Sequence, residues 1–391
     1  MSDPIIIIGA GQAGIKAAET LRTAGYDREI RLIGEERWPP YQRPPLSKAY
    51  LKGEMETERL FLKASGFFDD AGVTLMTGAR AASLDPAGRT ITLEDGQVLS
   101  WSSLLLATGT RARSLPLPGA ELPGVFSLRG IDDTSAIAEA LEAAQTVAII
   151  GGGYIGMEFA AVARGMGKSV AVVETQDRVL KRSVAPQIST FFQDLHRAHG
   201  VRVVLGEGVA RIAGETRAEG VELVSGETIA ADLVLMAVGA VPVTELAGSA
   251  GLVVERGIVV DEACRTSVPG VFAAGDCTEF PSRRYGRRIG LESVQNAADQ
   301  GKAAALSMLG EAVAYDPVPW FWSDQYDVKL QIAGLSTGYD RTEMAGDPGS
   351  GRFALKYYSG DRLLAVDAVN DPRSHMMARK QLAAADQAVA A

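Results

Sequence analysis

Two apolar runs, IIII at Ile5–Ile8 and VAII at Val147–Ile150, each pass directly into a glycine-rich turn and then into a mixed apolar and polar stretch. That pattern predicts a strand, a tight turn and a helix, twice over. Each helix leads to a second apolar strand that meets an acidic residue, Glu35 after EIRLIG and Glu174 after SVAVV. Further apolar strands follow at SSLLLATGT and ADLVLMAVGAVP, where Ala107-Thr108-Gly109 and Ala237-Val238-Gly239 are matching turns. The two halves follow one plan. After Gly239 an alternating segment, GLVVERGIVVDEACRTS, runs to a strand ending at Gly275-Asp276, and a helix is predicted over Ser293–Leu309. From Pro319 the pattern changes to short alternating segments, YDVKLQIAG, RFALKYYSG and LLAVDAV, and an amphipathic tail from Ser374. The Pro/Gly-rich stretch LPLPGAELPG separates the first half from the second. The expected domains are therefore residues 1–110 with 240–318, residues 111–239, and residues 319–391. The fold class is α/β, with two Rossmann-like domains and a C-terminal α+β domain.

The turns themselves carry chemistry. Both read G-x-G-x-x-G, with Gly9, Gly11 and Gly14 in the first and Gly151, Gly153 and Gly156 in the second. Glycine there permits a tight turn and lets the backbone approach a pyrophosphate seated on a helix N-terminus. Glu35 and Glu174 end the following strands, where a carboxylate can bind ribose hydroxyls. One such fingerprint is weak evidence, whereas two in context imply two dinucleotides in one chain. The usual pairing is a flavin with a nicotinamide, and hydride transfer between them.

Composition narrows this further. The chain has 391 residues, enough for two or three domains, and its net charge of −9 argues against nucleic acid as a general partner. No run of 18 apolar residues and no basic leader before the first strand lead us to expect a cytoplasmic protein without a membrane partner. The two cysteines, Cys264 and Cys277, form neither C-x-x-C nor a metal-ligand spacing, and residues 12–60 contain none. A disulfide or peroxide reductase would need one there, so Cys277 is read as a buried thiol.

Taken in order, PYQRPPLSK, ATGTRAR, GGGYIGMEFAA, TSVPGVFAAGD, LESVQNAADQ, PWFWSDQYD and AVDAVN resemble signatures of the pyridine-nucleotide-dependent flavoproteins of glutathione-reductase-like fold. Within these the chain resembles the ferredoxin reductases of aromatic-ring dioxygenases and bacterial cytochromes P450. The resemblance spans essentially the whole chain. It implies FAD in the discontinuous first domain, NADH in the inserted second, and a C-terminal domain that covers the flavin and helps receive a [2Fe-2S] ferredoxin. By motif alignment it also implies FAD contacts at Ala13, Arg43, Lys48, Ala81, Ala107, Gly109, Arg129, Asp276 and Val294. Its NADH contacts fall at Ile155, Glu158, Arg182 and Gly239. The chain departs from the family at Val243, often asparagine, and at Gln42, often glutamate.

Several of these residues also admit plainer readings. Asp276 could cap a helix, and Lys48 and Arg43, beside Pro44 and Pro45, could be solvated loop charges. The resemblance instead sets Lys48 against Glu158 near the nicotinamide. Glu158 itself could complement a helix dipole in the first turn. Glu174 favours NADH, because its carboxylate would repel a 2′-phosphate, although Arg178 and Arg182 follow it. His196 and His199 lack further ligands and are expected on a solvated helix end, with no metal site, and His375 has no nucleophile beside it. Arg283, Arg284, Arg287 and Arg288 form a basic run suited to the acidic face of a ferredoxin. Trp322, in a cluster with Trp320 and Phe321, is expected at the flavin edge as an electron exit. An NADH oxidase, or an NADH-responsive interaction flavoprotein resembling apoptosis-inducing factor, is the alternative.

Overall fold

The computed structural model describes residues 3–390, with the side chains of 3–384. Its backbone divides into two compact units: Met1–Gln42, Glu58–Arg111 and Val241–Pro319 form one, and Arg43–Thr57, Ala112–Ala240 and Trp320–Ala391 the other.

The first unit opens with β1 (Ile5–Ile8), four isoleucines that are all buried. Their β-branched side chains favour extended backbone, and their burial favours a central strand. Helix α1 (Gln12–Thr23) follows and stops at Ala24 and Gly25, the latter at φ +88°. Glycine takes that left-handed conformation at no steric cost. Strands β2 (Ile30–Ile33), β3 (Val73–Met76) and β4 (Ser103–Leu106) complete the first pass through this unit.

The second unit contributes β5 (Val125–Ser127), α2 (Ile131–Ala143), β6 (Thr146–Ile150), α3 (Tyr154–Gly165), β7 (Ser169–Glu174), α4 (Pro186–Ala198), β8 (Arg202–Leu205) and β9 (Leu233–Met236). Its parallel sheet has the order β8-β7-β6-β9-β5. The fingerprint strand β6 sits at the centre, so the turn that follows it opens at the strands' carboxyl ends. Ligands of open α/β sheets bind there.

The chain then returns to the first unit with β10 (Val271–Ala273) and α5 (Val294–Met308). Its parallel sheet has the order β10-β4-β1-β2-β3, which again centres the fingerprint strand. Ser293 lies just outside α5 and caps it, its hydroxyl accepting the Asn296 N–H at 3.1 Å. Close packing joins α5 to α1, since a Cβ on Gly301 would lie 2.4 Å from the Ala13 carbonyl oxygen. Each unit also carries a three-stranded antiparallel sheet, at residues 81–100 and 209–230 respectively.

The last part of the second unit is a five-stranded antiparallel sheet of β11 (Trp320–Gln325), β12 (Val328–Gly334), β13 (Arg341–Asp347), β14 (Arg352–Ser359) and β15 (Arg362–Val369), in the order β11-β12-β15-β14-β13. Helix α6 (Pro372–Ala390) follows it. Asp367 of β15 is fully buried and accepts a hydrogen bond from the Tyr357 hydroxyl of β14. Among the described residues no helix is long and apolar enough to cross a membrane, and no group of three or more His, Cys, Asp or Glu could hold a metal ion.

Candidate active site

Both glycine turns have the same construction. Gly9 stands at φ +112° and a Cβ on it would meet the Ala107 carbonyl oxygen at 2.0 Å; Gly151 stands at φ +110°, with the Ala237 oxygen at 2.4 Å. The third glycines are equally constrained, since a Cβ on Gly14 or Gly156 would lie 2.0 or 2.2 Å from the oxygen of Gly9 or Gly151. These four are glycines because the backbone packs on itself. The middle glycines differ. Around Gly11 and Gly153 no protein atom lies within 4 Å of a would-be Cβ. Each is the N-cap of its helix, offers no side-chain cap, and starts a first turn without an acidic residue. The first helical N–H groups of α1 and α3 are thus left for an external anion, and space is kept open in front of them. The residues present fit two dinucleotide pyrophosphates.

The two acids differ in their setting. Glu35 is exposed and lies 3.7 Å from Arg80. Glu174 is locked in place: Oε2 accepts the Gly152 N–H at 2.7 Å, and Oε1 accepts the Gln176 N–H at 2.9 Å. A carboxylate has about four acceptor sites, so capacity for a ribose hydroxyl remains. Of the two following arginines, Arg178 directs Nη1 at the carbonyls of Lys181 and Val184 and at the Ser189 hydroxyl, at 3.2–3.3 Å. Arg182 is exposed, with Nη2 3.2 Å from a would-be Cβ on Gly239. Ile155, the second residue of α3 and next to the glycine turn, is 42% exposed.

The second unit also brings Lys48 and Glu158 together. Pro44 and Pro45 start a 3₁₀ turn, Pro44–Ser47, that delivers Lys48 to α3. Its Nζ lies 2.5 Å from Glu158 Oε2, which also accepts the Ser47 hydroxyl at 2.7 Å, while Oε1 accepts the Ser323 hydroxyl at 2.8 Å. Glu158 is the fifth residue of α3 and 5% exposed. It lies beyond the first turn, so it is not the dipole-complementing charge that its closeness to Gly156 suggested. Arg43 donates to the Arg129 carbonyl at 2.8 Å in the same unit. On the other face of β11, Trp320 and Trp322 stack at 5.7 Å, and both are half-buried.

In the first unit, Asp276 follows Gly275, whose N–H is held by Gln300 Oε1 at 2.8 Å. Gln300 closes the LESVQNAADQ signature, but sequence reasoning gave it no role. Ala13 packs beneath this turn, its Cβ 3.1 Å from a would-be Cβ on Gly275. Val294 is the first residue of α5, and Ala81 starts a strand. The Val243 departure is carried by backbone alone: its N–H donates to Gly109 oxygen at 2.9 Å and its carbonyl accepts the Thr108 hydroxyl at 2.6 Å.

Two expectations need correction. His196 is not at a solvated helix end; it is fully buried, and burial pushes its imidazole down to about 4. The basic run is not a uniform cationic surface either. Arg284 is 6% exposed, Arg283 pairs with Glu262 at 2.5 Å, and Arg288 pairs with Glu255. The run lies on a hairpin in which Ser282 faces Arg287, and that turns Arg284 inward.

The chain matches the pyridine nucleotide-disulphide oxidoreductase model over residues 3–301 and the reductase C-terminal model over residues 320–391. The chain belongs to this oxidoreductase family. Rhodocoxin reductase of Rhodococcus erythropolis is 44% identical to it, over 97% of this chain and 89% of that protein. The benzene 1,2-dioxygenase system ferredoxin–NAD(+) reductase subunit of Pseudomonas putida is 37% identical, over 97% and 92%. Among solved structures, the covalent putidaredoxin reductase–putidaredoxin complex matches with a TM-score of 0.94 at 37% identity, covering 97% of this chain and 93% of that one. This oxidoreductase has poor thiol nucleophiles. Both cysteines are buried and free, with Cys264 pushed up to about 12 and Cys277 raised, in each case chiefly by desolvation.

Proposed function

We propose that this oxidoreductase passes electrons from NADH to a [2Fe-2S] ferredoxin that feeds a terminal oxygenase. It uses FAD and NAD(H). Bound FAD supplies the step that turns a two-electron hydride into two single electrons for a one-electron acceptor. The observation that carries this reading is the pair of similarly built turns, each with an open middle glycine over an uncapped helix. Relatives named as a rhodocoxin reductase and as a ferredoxin–NAD(+) reductase subunit, matched along nearly the whole chain, support the same direction of electron flow.

On this reading residues 1–110 with 240–318 hold FAD, 111–239 hold NADH, and 319–391 form the ferredoxin-facing domain. Gly9, Gly11 and Gly14 would receive the FAD pyrophosphate, with Glu35 on its ribose and Asp276 on the flavin side chain. Gly151, Gly153 and Gly156 would receive that of NADH, with Ile155 and Gly239 lining the coenzyme. The fixed carboxylate of Glu174 selects the 2′-hydroxyl over a 2′-phosphate, and Arg178, committed to carbonyls, offers that phosphate little. Lys48 holds a positive charge beside the reacting rings, and Glu158 holds Lys48. Trp322 passes electrons outward, and Arg287 presents charge to the acidic face of the ferredoxin.

The test is kinetic. Reduction of the flavin should have a kcat/KM at least about tenfold higher with NADH than with NADPH, equivalent to about 1.4 kcal/mol. Cytochrome c reduction should require added ferredoxin. Equal coenzyme use would remove the role of Glu174, and electron flow to oxygen alone would replace the reductase by an oxidase.

A further inference from the structure

Strand β11 inverts the usual burial pattern. Its inward face carries Ser323 and Gln325, both fully buried, while Trp320 and Trp322 on the opposite face are only half-buried. Buried polar groups require partners, and here the partners form one line. From Glu158 Oε1 it runs 2.8 Å to Ser323 Oγ, 3.3 Å to Gln325 Nε2, then from Gln325 Oε1 2.9 Å to His196 Nε2. The Tyr326 hydroxyl lies 3.5 Å from His196 Nδ1, and the Tyr326 ring stacks on exposed His199 at 3.7 Å.

Proton placement along this line is forced from one end. The carboxylate of Glu158, paired with Lys48, only accepts. The single proton of Ser323 is therefore committed to Glu158, so Ser323 Oγ can only accept from Gln325. That orients the amide with its NH₂ toward Ser323 and its carbonyl toward His196. His196 must then carry its proton on Nε2 and accept the Tyr326 hydroxyl at Nδ1. A neutral ring can do this. Burial keeps the imidazole neutral, and the groups facing it are Gln325, Tyr326 and the neighbouring His199.

We propose that His196 and Gln325 are positioning residues: through the hydrogen bond that Ser323 Oγ accepts from Gln325 they hold this hydroxyl in place against Glu158, and thereby set where that carboxylate holds Lys48 in the reaction. This rests on the role given above to the Lys48–Glu158 pair. Neither residue touches the reacting groups. Every donor in the line points toward Glu158, so disturbing the far end releases the near one.

The first test uses the unmodified holoenzyme. With three histidines in the chain, ¹⁵N-resolved imidazole spectra can be assigned through His199→Gln and His375→Gln. His196 should be neutral and protonated on Nε2 from pH 6 to 8. Protonation on Nδ1 would overturn the proposal, because the line would then run the other way. The second test is a double-mutant cycle on the rate of flavin reduction by NADH, read beside the flavin midpoint potential. Ser323→Ala and Gln325→Leu should each slow reduction about five- to tenfold, the loss expected for one misplaced hydrogen bond. Combined, they should be no slower than Ser323→Ala alone, since both act through one donor. Multiplicative losses, or unchanged rates, would overturn it. Glu158→Gln separates the two levels. Unchanged reduction there removes the role of the Lys48–Glu158 pair and this proposal with it, whereas slowed reduction there with unaffected Ser323 and Gln325 variants removes this proposal alone.

Discussion

At the scale of residues, the site depends on a few charges placed where water is scarce. Glu158 is nearly inaccessible and Lys48 is partly so, with side-chain exposures of 6% and 21%. Removing the lysine leaves the carboxylate buried without its cation, which typically costs more than the pair contributes. Lys48→Met should therefore lower stability by up to about 3 kcal/mol, and Lys48→Met with Glu158→Gln should recover most of it in urea denaturation. The same single variant should slow flavin reduction and make the flavin potential more negative, because a nearby cation stabilises the charge of the reduced ring. A stability loss without a change in potential would leave Lys48 with a packing role. These two residues were legible in the sequence because each sits in a motif with its own chemistry. Ser323, Gln325 and His196 were not: in PWFWSDQYD the aromatics drew the reading and the serine and glutamine were given no role, while His196 was read on a solvated helix end. Only a contact 165 residues away in the chain gives Ser323 its partner Glu158.

At the scale of elements, the strand-turn-helix units were legible because their glycines answer to local geometry. Gly151 and Gly153 should respond differently to the same change. Gly151→Ala forces a side chain into φ +110° and 2.4 Å from a carbonyl oxygen, so it should destabilise the second unit by more than about 2 kcal/mol. Gly153→Ala meets nothing within 4 Å and should cost no more than about 1 kcal/mol, as a poorer N-cap, while weakening NADH binding tenfold or more. Thermal melts and coenzyme titration of the two variants check this, and unaltered NADH affinity in Gly153→Ala would argue against a pyrophosphate there. The C-terminal sheet carries a different charge problem. Desolvation raises Asp367 to about 7, well above the ordinary carboxylate value near 4. A raised acid binds its proton more tightly in the folded state, so its contribution is fully present below about pH 4 and is lost as pH rises toward 7. Asp367→Asn should flatten the decline of stability across that window and leave the variant more stable than the parent at pH 8. A parallel decline in both would mean that Asp367 is not the group responsible.

At the scale of the whole molecule, the basic run shows how charge read from sequence overstates a surface. Four arginines in six positions suggested a landing face, yet Arg284 is buried and two others are matched by glutamates. Arg287→Gln should weaken ferredoxin association and flatten its salt dependence. Arg284→Gln should instead lower stability with little effect on salt dependence. Trp322→Ala should retain FAD and near-normal reduction by NADH while slowing ferredoxin-dependent cytochrome c reduction; loss of FAD would favour a packing role for the ring. The chain returns to the first unit at Val241, and the closeness of that return was not legible. The contact between Ala13 and Gly301 joins residues at opposite ends of the first unit, and small side chains on two helices give no periodic signal of what they meet.

That contact also bears on the order in which the protein is made. The five-stranded parallel sheet of the second unit is complete once synthesis reaches Met236. The sheet begun first still lacks β10, which pairs with β4, and α1 lacks the helix that covers it. Of the two parallel sheets, the one that starts first is therefore finished last. Until the ribosome has delivered Ala273, the Leu104–Leu106 edge stands as an unpaired apolar template. A nascent chain arrested near residue 240 should consequently be captured by chaperones or aggregate, even though half of its nucleotide-binding architecture is already complete.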